Sequence, residues 1–273
     1  VGQSTTRPIE RRRGEDAMIK LVYVIERRAD VTAADFHDYW LNVHGPKVRG
    51  HAKAIRARRY VQSHRIDTPL NEAMRAARGM LPSVPGITEV WWDSLADFQA
   101  ASSDPAGVAA LADLAADEDT FIDVARSQVF LTQEHPIFDF TGGRKFGPEA
   151  VKCTYLLARR PDLTTEACHA TWLADHGPVV ASFARALHMA RYVQSHTIAP
   201  EINAGFVAGR GLAPPIDGIT EVWMRSMADV ESGGQTEEGR RGGPAMIEDE
   251  RRFVDMGRSR CFFTREHEIF DYS

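Results

Sequence analysis

Along residues 19–140 the spacing of apolar positions switches between two and 3.6, the periods of a half-buried strand and an amphipathic helix. IKLVYVIERR (19–28) reads as a strand. Thr32 then offers an N-cap to a helix on which Phe36, Trp40 and Leu41 share one side. Gly45 and Pro46 interrupt that helix, and KVRGHAKAI resumes it as a second short one. ARRYVQSHRI (57–66) and GITEVWWDS (86–94) are rich in β-branched and aromatic residues and read as strands. The stretch from Ser94 to Ala125 is helical with breaks, and RSQVFLTQEH (126–135) supplies a fourth strand. The order βαββαβ is the ferredoxin-like split βαβ unit.

The same pattern then returns. HDYWLNVHGP (37–46) recurs as HATWLADHGP (169–178), RYVQSH (59–64) at 191–196, GITEVW (86–91) at 218–223, and EHPIFDF (134–140) as EHEIFDY (266–272). Each pair is 132 positions apart, and roughly 40% of aligned positions are identical between 19–140 and 151–272, as a tandem duplication requires. The expected organisation is an arm (1–17), a first domain (18–140), a Gly-rich linker (141–149) and a second domain (150–273). A four-stranded sheet covered by helices on one face leaves the other bare. Packing two such sheets face to face buries it, and fusion supplies the partner. The fold class is therefore α+β, and the chain is expected to be a monomeric pseudo-dimer or a weak homo-oligomer.

Composition narrows the classes of partner. A net charge of −5, with Arg11, Arg12 and Arg13 as the dense basic run, argues against nucleic acid. No apolar stretch is long enough to span a membrane, and residues 1–17 lack the apolar segment of a secretory signal. Cys153, Cys168 and Cys261 stand opposite Leu21, Phe36 and Val129 of the first copy, the pattern of small buried hydrophobes. A reducing cytoplasm suits them.

FHDYWLNVHGP, RYVQSH, GITEVWWDS and EHPIFDF, in that order and twice over, resemble the EthD family across nearly all of 18–140 and 150–273. In that family the first helix carries a Trp and, four residues on, a His before Gly-Pro, here Trp40 and His44, and Trp172 and His176. The resemblance implies a dimeric α/β barrel, made here within one chain, with a ligand cavity between sheet and helices. Its superfamily holds cyclases, isomerases, cofactor-free monooxygenases, decarboxylases and heme peroxidases, so the reaction is left broad.

Candidate chemistry follows the repeat. His44 and His176 end the first helix, where the dipole favours a positive imidazole suited to proton transfer; the alternative is a plain helix cap. His37 and His44 lie about 10.5 Å apart along a helix, too far to share a metal, so no metal is expected. On the second strand Tyr60, Gln62 and His64, and Tyr192, Gln194 and His196, point one way, either into a ligand cavity or into a hydrogen-bond ladder. On the third, Thr88, Val90 and Trp92 face the helices, leaving Ile87, Glu89 and Trp91 to line the barrel interior; Glu221 and Trp223 match. Glu89 and Glu221 are expected to act as acid or base, to orient a His on the neighbouring strand, or simply to satisfy one structurally. Trp40, Trp172, Trp91 and Trp223 are core aromatics or ligand platforms. Arg78 and Arg210 sit in the long connection between strands two and three, facing either solvent or an anionic ligand.

This set best suits general acid-base catalysis, without a cofactor, of an elimination, decarboxylation, isomerisation or cyclisation of a small hydrophobic, aromatic or polyketide-like molecule. Cofactor-free oxygenation of a phenol-like substrate, a non-catalytic ligand carrier and heme binding are the alternatives. The second copy departs from the first in TEEGRRGGPAMIE, which loses the amphipathic pattern of SDPAGVAALADLA. It also places Asp175 beside His176, where the first has Val43. Both differences favour the first copy as the principal site.

Overall fold

The computed structural model describes residues 17–273; positions 1–16 of the expected arm lie outside the described residues. The first repeat runs β1 (Ile19–Ile25), α1 (Ala33–Tyr39), α2 (Gly45–His51), β2 (Arg59–Arg65), α3 (Pro69–Arg78), β3 (Gly86–Trp92), α4 (Leu95–Ser103), α5 (Pro105–Glu118) and β4 (Gln128–Asp139). The second runs β5 (Val151–Leu157), α6 (Thr165–Thr171), α7 (Gly177–Phe183), β6 (Arg191–Thr197), α8 (Pro200–Arg210), β7 (Gly218–Met224), α9 (Met227–Gly233), α10 (Glu237–Glu250) and β8 (Arg260–Asp271).

The eight strands close into one barrel in the order β1-β3-β2-β8-β5-β7-β6-β4, with β4 returning to β1. This is the α/β barrel within one chain that the family resemblance implied, and the two sheets are joined edge to edge. The reason lies in the last strands. β4 and β8 run to Asp139 and Asp271, past the predicted end, and each pairs first within its own repeat and then with the other's second strand, β4 with β6 and β8 with β2. Joining edges satisfies the backbone groups that a sandwich would leave open.

Alternation along the strands sorts side chains into two compartments. Val22, Val24, Ile87 and Phe130 pack with Leu156, Ile219 and Phe262 in the barrel interior. Thr88, Val90 and Trp92 lie on the outer face, as predicted, under the helices.

Thr32 caps α1 by accepting from the Asp35 amide, as its sequence position predicts. The expected break at Gly45-Pro46 does not occur; the chain stays helical from α1 into α2. Residues Trp40–His44 make a π turn between α1 and α2, in which the Gly45 amide reaches back to the Trp40 carbonyl. Widening the helix by one residue accommodates a proline that has no amide to give. The Trp40 ring is fully buried and crosses the start of β3, where a Cβ on Gly86 would stand 2.9 Å from it and 2.4 Å from the Ser63 carbonyl.

The expected loss of helix in TEEGRRGGPAMIE does not occur. α10 spans 14 residues, as α5 does, with Pro244 inside it. Its glycines are packing residues. A Cβ on Gly239 would come 1.9 Å from the Gly233 carbonyl, and Gly107 meets the Ala101 carbonyl in the same way at the matching place. Tertiary packing outweighs the weak helix propensity of the segment.

Candidate active site

Each repeat holds a cavity between the outer sheet face and the helices. The first, about 270 Å³, is lined by Leu21, Tyr23, His44, Tyr60, Trp92 and Leu114 among others, together with Phe206, Arg210 and Leu212 from the other repeat. The second, about 250 Å³, is lined by Tyr155, Trp172, His176, Val222, Glu250 and Phe253, with Met74 and Arg78 crossing from the first repeat. The exchange of residues follows from docking of α3 and α8. The Asn71 side chain accepts from the Phe263 amide of β8 at 2.8 Å, and Asn203 from the Leu131 amide of β4 at 2.9 Å.

His44 is buried at the end of the π turn, and its Nδ1 lies 2.7 Å from Asp117 Oδ2 on α5. Asp117 also accepts from the Tyr39 hydroxyl at 2.9 Å. Burial pushes the Asp117 carboxyl up, but the hydrogen bonds from His44 and Tyr39 outweigh it and hold it below the usual range. With Nδ1 engaged, Nε2 is the nitrogen the ring presents to the cavity. His176 repeats the arrangement with Asp249 at 2.8 Å, and Arg252 takes the place of Tyr39 in holding the carboxylate. Asp175, the neighbour of His176 in the sequence, pairs with Arg252 at 2.7 Å, at the surface.

A second polar group lies beside each histidine. In the first cavity the Arg210 guanidinium donates to Glu118 at 2.7 Å and to Asp119 at 2.9 Å. Burial raises the Glu118 carboxyl, with the charges of His44 and Arg210 opposing. The buried Tyr23 hydroxyl has no hydrogen-bond partner among the described residues. In the second cavity Arg78 grips Glu250 with two bonds, 2.8 and 3.1 Å, and Tyr155 lies 3.5 Å from the same carboxylate. Arg78 and Arg210 are thus ion-paired at the two cavities. A solvated Arg, the commoner state for that residue, is excluded by the pairing.

Other predicted residues go elsewhere. Tyr60 lines the first cavity, its hydroxyl pushed up to about 12 by burial. Gln62 and His64 do not line it. His64 stacks on Trp40, centroids 4.1 Å apart and 6° from parallel, and its Nε2 donates to Gln62 Oε1 at 3.0 Å. Gln62 Nε2 in turn donates to the Trp40 carbonyl at 2.7 Å and to Tyr60 at 3.1 Å. His37 completes the chain, 3.0 Å from His64 Nδ1. Burial depresses His64 to about 2 and keeps it neutral. His196, Gln194, Tyr192 and Trp172 reproduce the same chain from His196 to the Trp172 carbonyl. These side chains brace the π turn that aims His44 and His176.

Glu89 and Glu221 point into the barrel interior, as predicted, and therefore away from His64, which excludes their orienting that ring. They meet two buried lysines instead. Lys20 contacts Glu89 at 3.2 Å, Glu134 at 3.1 Å and Glu221; Lys152 contacts Glu89 at 2.5 Å, Glu221 at 2.8 Å and Glu266 at 2.9 Å. Burial first, and then the charge of Glu221, push Glu89 up to about 7. Trp91 and Trp223 close one end of this network under Arg59 and Arg191, 4.7 and 4.9 Å above the rings. Residues 141–148 of the linker border a polar space of about 280 Å³ there.

The family model described as the EthD domain matches residues 28–125 and again 160–257. The chain belongs to the EthD family. The two EthD matches are offset by the same 132 positions as the repeat. No curated protein sequence matches the chain. Among solved structures, an anthrone oxidase-like protein superposes with a TM-score of 0.54 at 10% identity, over 95% of this chain and 96% of that one. A candidate monooxygenase from Fusobacterium nucleatum gives 0.50 at 7% identity, over 93% of each chain. At such identities these two show that the EthD repeats share that fold. Among the described residues, no helix is long and apolar enough to cross a membrane.

The EthD cavities thus use residues that motif reasoning passed over, namely Tyr23, Asp117 and Glu118 with Tyr155, Asp249 and Glu250. One signal in the sequence marks them. All three pairs are identical at the 132-residue offset, and Asp-Glu is retained even where the surrounding helix sequence diverges.

Proposed function

We propose that the protein is a two-site enzyme that moves protons on a small, largely apolar molecule of aromatic or polyketide type, with His44 and His176 as the proton-transfer groups. The observation that carries this reading is the same in both repeats: a histidine held by an aspartate at Nδ1 and opening at Nε2 onto an apolar cavity. Asp117 fixes the tautomer, so Nε2 has a lone pair to take a proton from an acidic C–H or O–H of the ligand. The electron pair left behind passes onto a conjugated carbonyl as an enolate. Return of the proton to a different carbon gives isomerisation, and departure of a β-substituent gives elimination. Tyr23, with an unused hydroxyl, supplies the hydrogen bond to the developing oxyanion in the first cavity. Cavities of about 250–270 Å³ lie at the small end of ligand sites and suit a molecule of two or three fused rings at most.

A second reading is favoured by the likeness to a candidate monooxygenase and an anthrone oxidase-like protein. Deprotonation of a phenol or an anthrone-type carbon by the same histidine gives an electron-rich anion that can itself reduce dioxygen.

Exchange of the acidic hydrogens of anthrone-like and β-dicarbonyl compounds with deuterated water, followed by NMR under nitrogen and under air, separates the two. Protein-dependent exchange under nitrogen that disappears in a His44→Ala/His176→Ala double variant is expected. Undiminished exchange in a double variant of unchanged melting temperature overturns the proposal. Ligand consumption that requires air selects the second reading.

A further inference from the structure

The two cavities share a tyrosine, a histidine, a threonine, a glutamate and an arginine at matching positions and differ along their apolar walls, where Trp92, Phe98, Leu111 and Leu114 give way to Met224, Val230, Gly243 and Met246. Leu21 and Val129 of the first cavity are replaced in the second by Cys153 and Cys261, and Phe206, which crosses from the other repeat, is replaced by Met74. Three hydrocarbon side chains in one site have become three sulfur-bearing ones in the other. They are also in contact. Cys153 Sγ lies 3.5 Å from Cys261 Sγ, and Met74 Sδ lies 3.8 Å from Cys261 Sγ. Paired strands β5 and β8 hold the two cysteines, and α3, anchored on β8 through Asn71, brings in the methionine.

We infer that this sulfur cluster is a binding site for a soft monovalent cation, Cu(I), with Cys153 and Cys261 as thiolate ligands and Met74 as the thioether ligand. Thiolate with thioether is the donor set that selects Cu(I). An ion about 2.3 Å from each sulfur, the usual metal–thiolate length, would see neighbouring sulfurs 3.5 and 3.8 Å apart at angles of about 100° and 110°. Binding one Cu(I) releases the two thiol protons, so the site changes by one negative charge. The inference does not depend on the proton-transfer reading, because it uses sulfur atoms that reading leaves idle.

The test is an anaerobic titration of the reduced full-length protein against the chromophoric Cu(I) chelator bicinchoninate. One equivalent of Cu(I) per chain is expected to pass to the protein, and the affinity should rise with pH as proton release requires. Cys153→Ser/Cys261→Ser should abolish the transfer. Met74→Leu, which keeps the apolar volume, should weaken it by at least the about 10–100-fold that loss of a supporting group costs a metal site. Cys168→Ser, whose sulfur faces the Phe253 carbonyl, should leave it unchanged. Failure to take Cu(I) from the chelator overturns the assignment. So do retention of binding in a folded double-serine variant, unchanged affinity in Met74→Leu, and preferential binding of Zn(II) in the same competition.

Discussion

Replacing Arg210 with Met would remove the only cation that reaches Glu118 from across the repeat boundary among the described ion pairs, while keeping the apolar stem of the side chain. Breaking a buried ion pair by deleting one partner costs about 3–5 kcal/mol, because the other charge is left without compensation. Arg210 retains 29% of its side-chain exposure and Glu118 15%, so water screens part of that loss. About 2–3 kcal/mol is the expected cost here. For a chain of this size it corresponds to a fall in melting temperature of about 4–12 °C. The pH dependence has a definite sign. Burial already raises the Glu118 carboxyl above its usual 4.5, and Arg210 is one of the charges opposing that rise. Removing the arginine raises it further. A carboxyl raised on folding contributes stability that is full below its unfolded value and is lost as pH rises through its folded value. The deficit of Arg210→Met should therefore be larger at pH 8 than at pH 5. Differential scanning calorimetry of Arg210→Met, Glu118→Gln and the double variant measures both the size and the coupling, and the double variant should recover most of the loss. A single variant that loses no more than a surface arginine does, about 0.5 kcal/mol or less, would refute the reasoning. Additive losses in the double variant would do the same.

On an identified substrate, His44→Ala or Asp117→Asn should lower turnover at the first site by about 10²–10⁴-fold, with the fold intact by circular dichroism. His176→Ala and Asp249→Asn should act equally at the second, since both histidines have the same partner. The isolated fragment 18–140 should dimerise or aggregate in sedimentation, because it bares the interior face and unpaired edges of its sheet; a folded monomer would count against the closed barrel. Glu89→Gln should flatten the pH dependence of stability between about 4.5 and 7, where the raised Glu89 carboxyl makes the wild type less stable as pH increases. His64→Gln with His196→Gln should reduce acid lability below about pH 6.5. Both rings are held neutral by burial, down to about 2, so the unfolded chain alone gains protons there and stability is lost as pH falls. Unchanged pH–melting curves would dismiss either titration account.

Local regularities carried much of this protein into view from its sequence. The repeat at 132 positions announced two copies of one unit, Thr32 marked the start of the first helix, and strand alternation sent Glu89 inward and Thr88 outward. Each depends on residues within a few positions of one another, or on identity between copies. The grouping of side chains at the two cavities has no such origin. Arg78 meets Glu250 across 172 positions and Arg210 meets Glu118 across 92, because α3 and α8 dock on the opposite repeat's last strand. Lys20 and Lys152 read as ordinary strand residues until barrel closure places them among four glutamates. The segment GRRGGPA looks unfit for a helix because propensity counts only the chain's own preferences. It becomes one because Gly239 and Gly242 fit against Gly233, Leu187 and Phe183, contacts that exist only once the domain has folded.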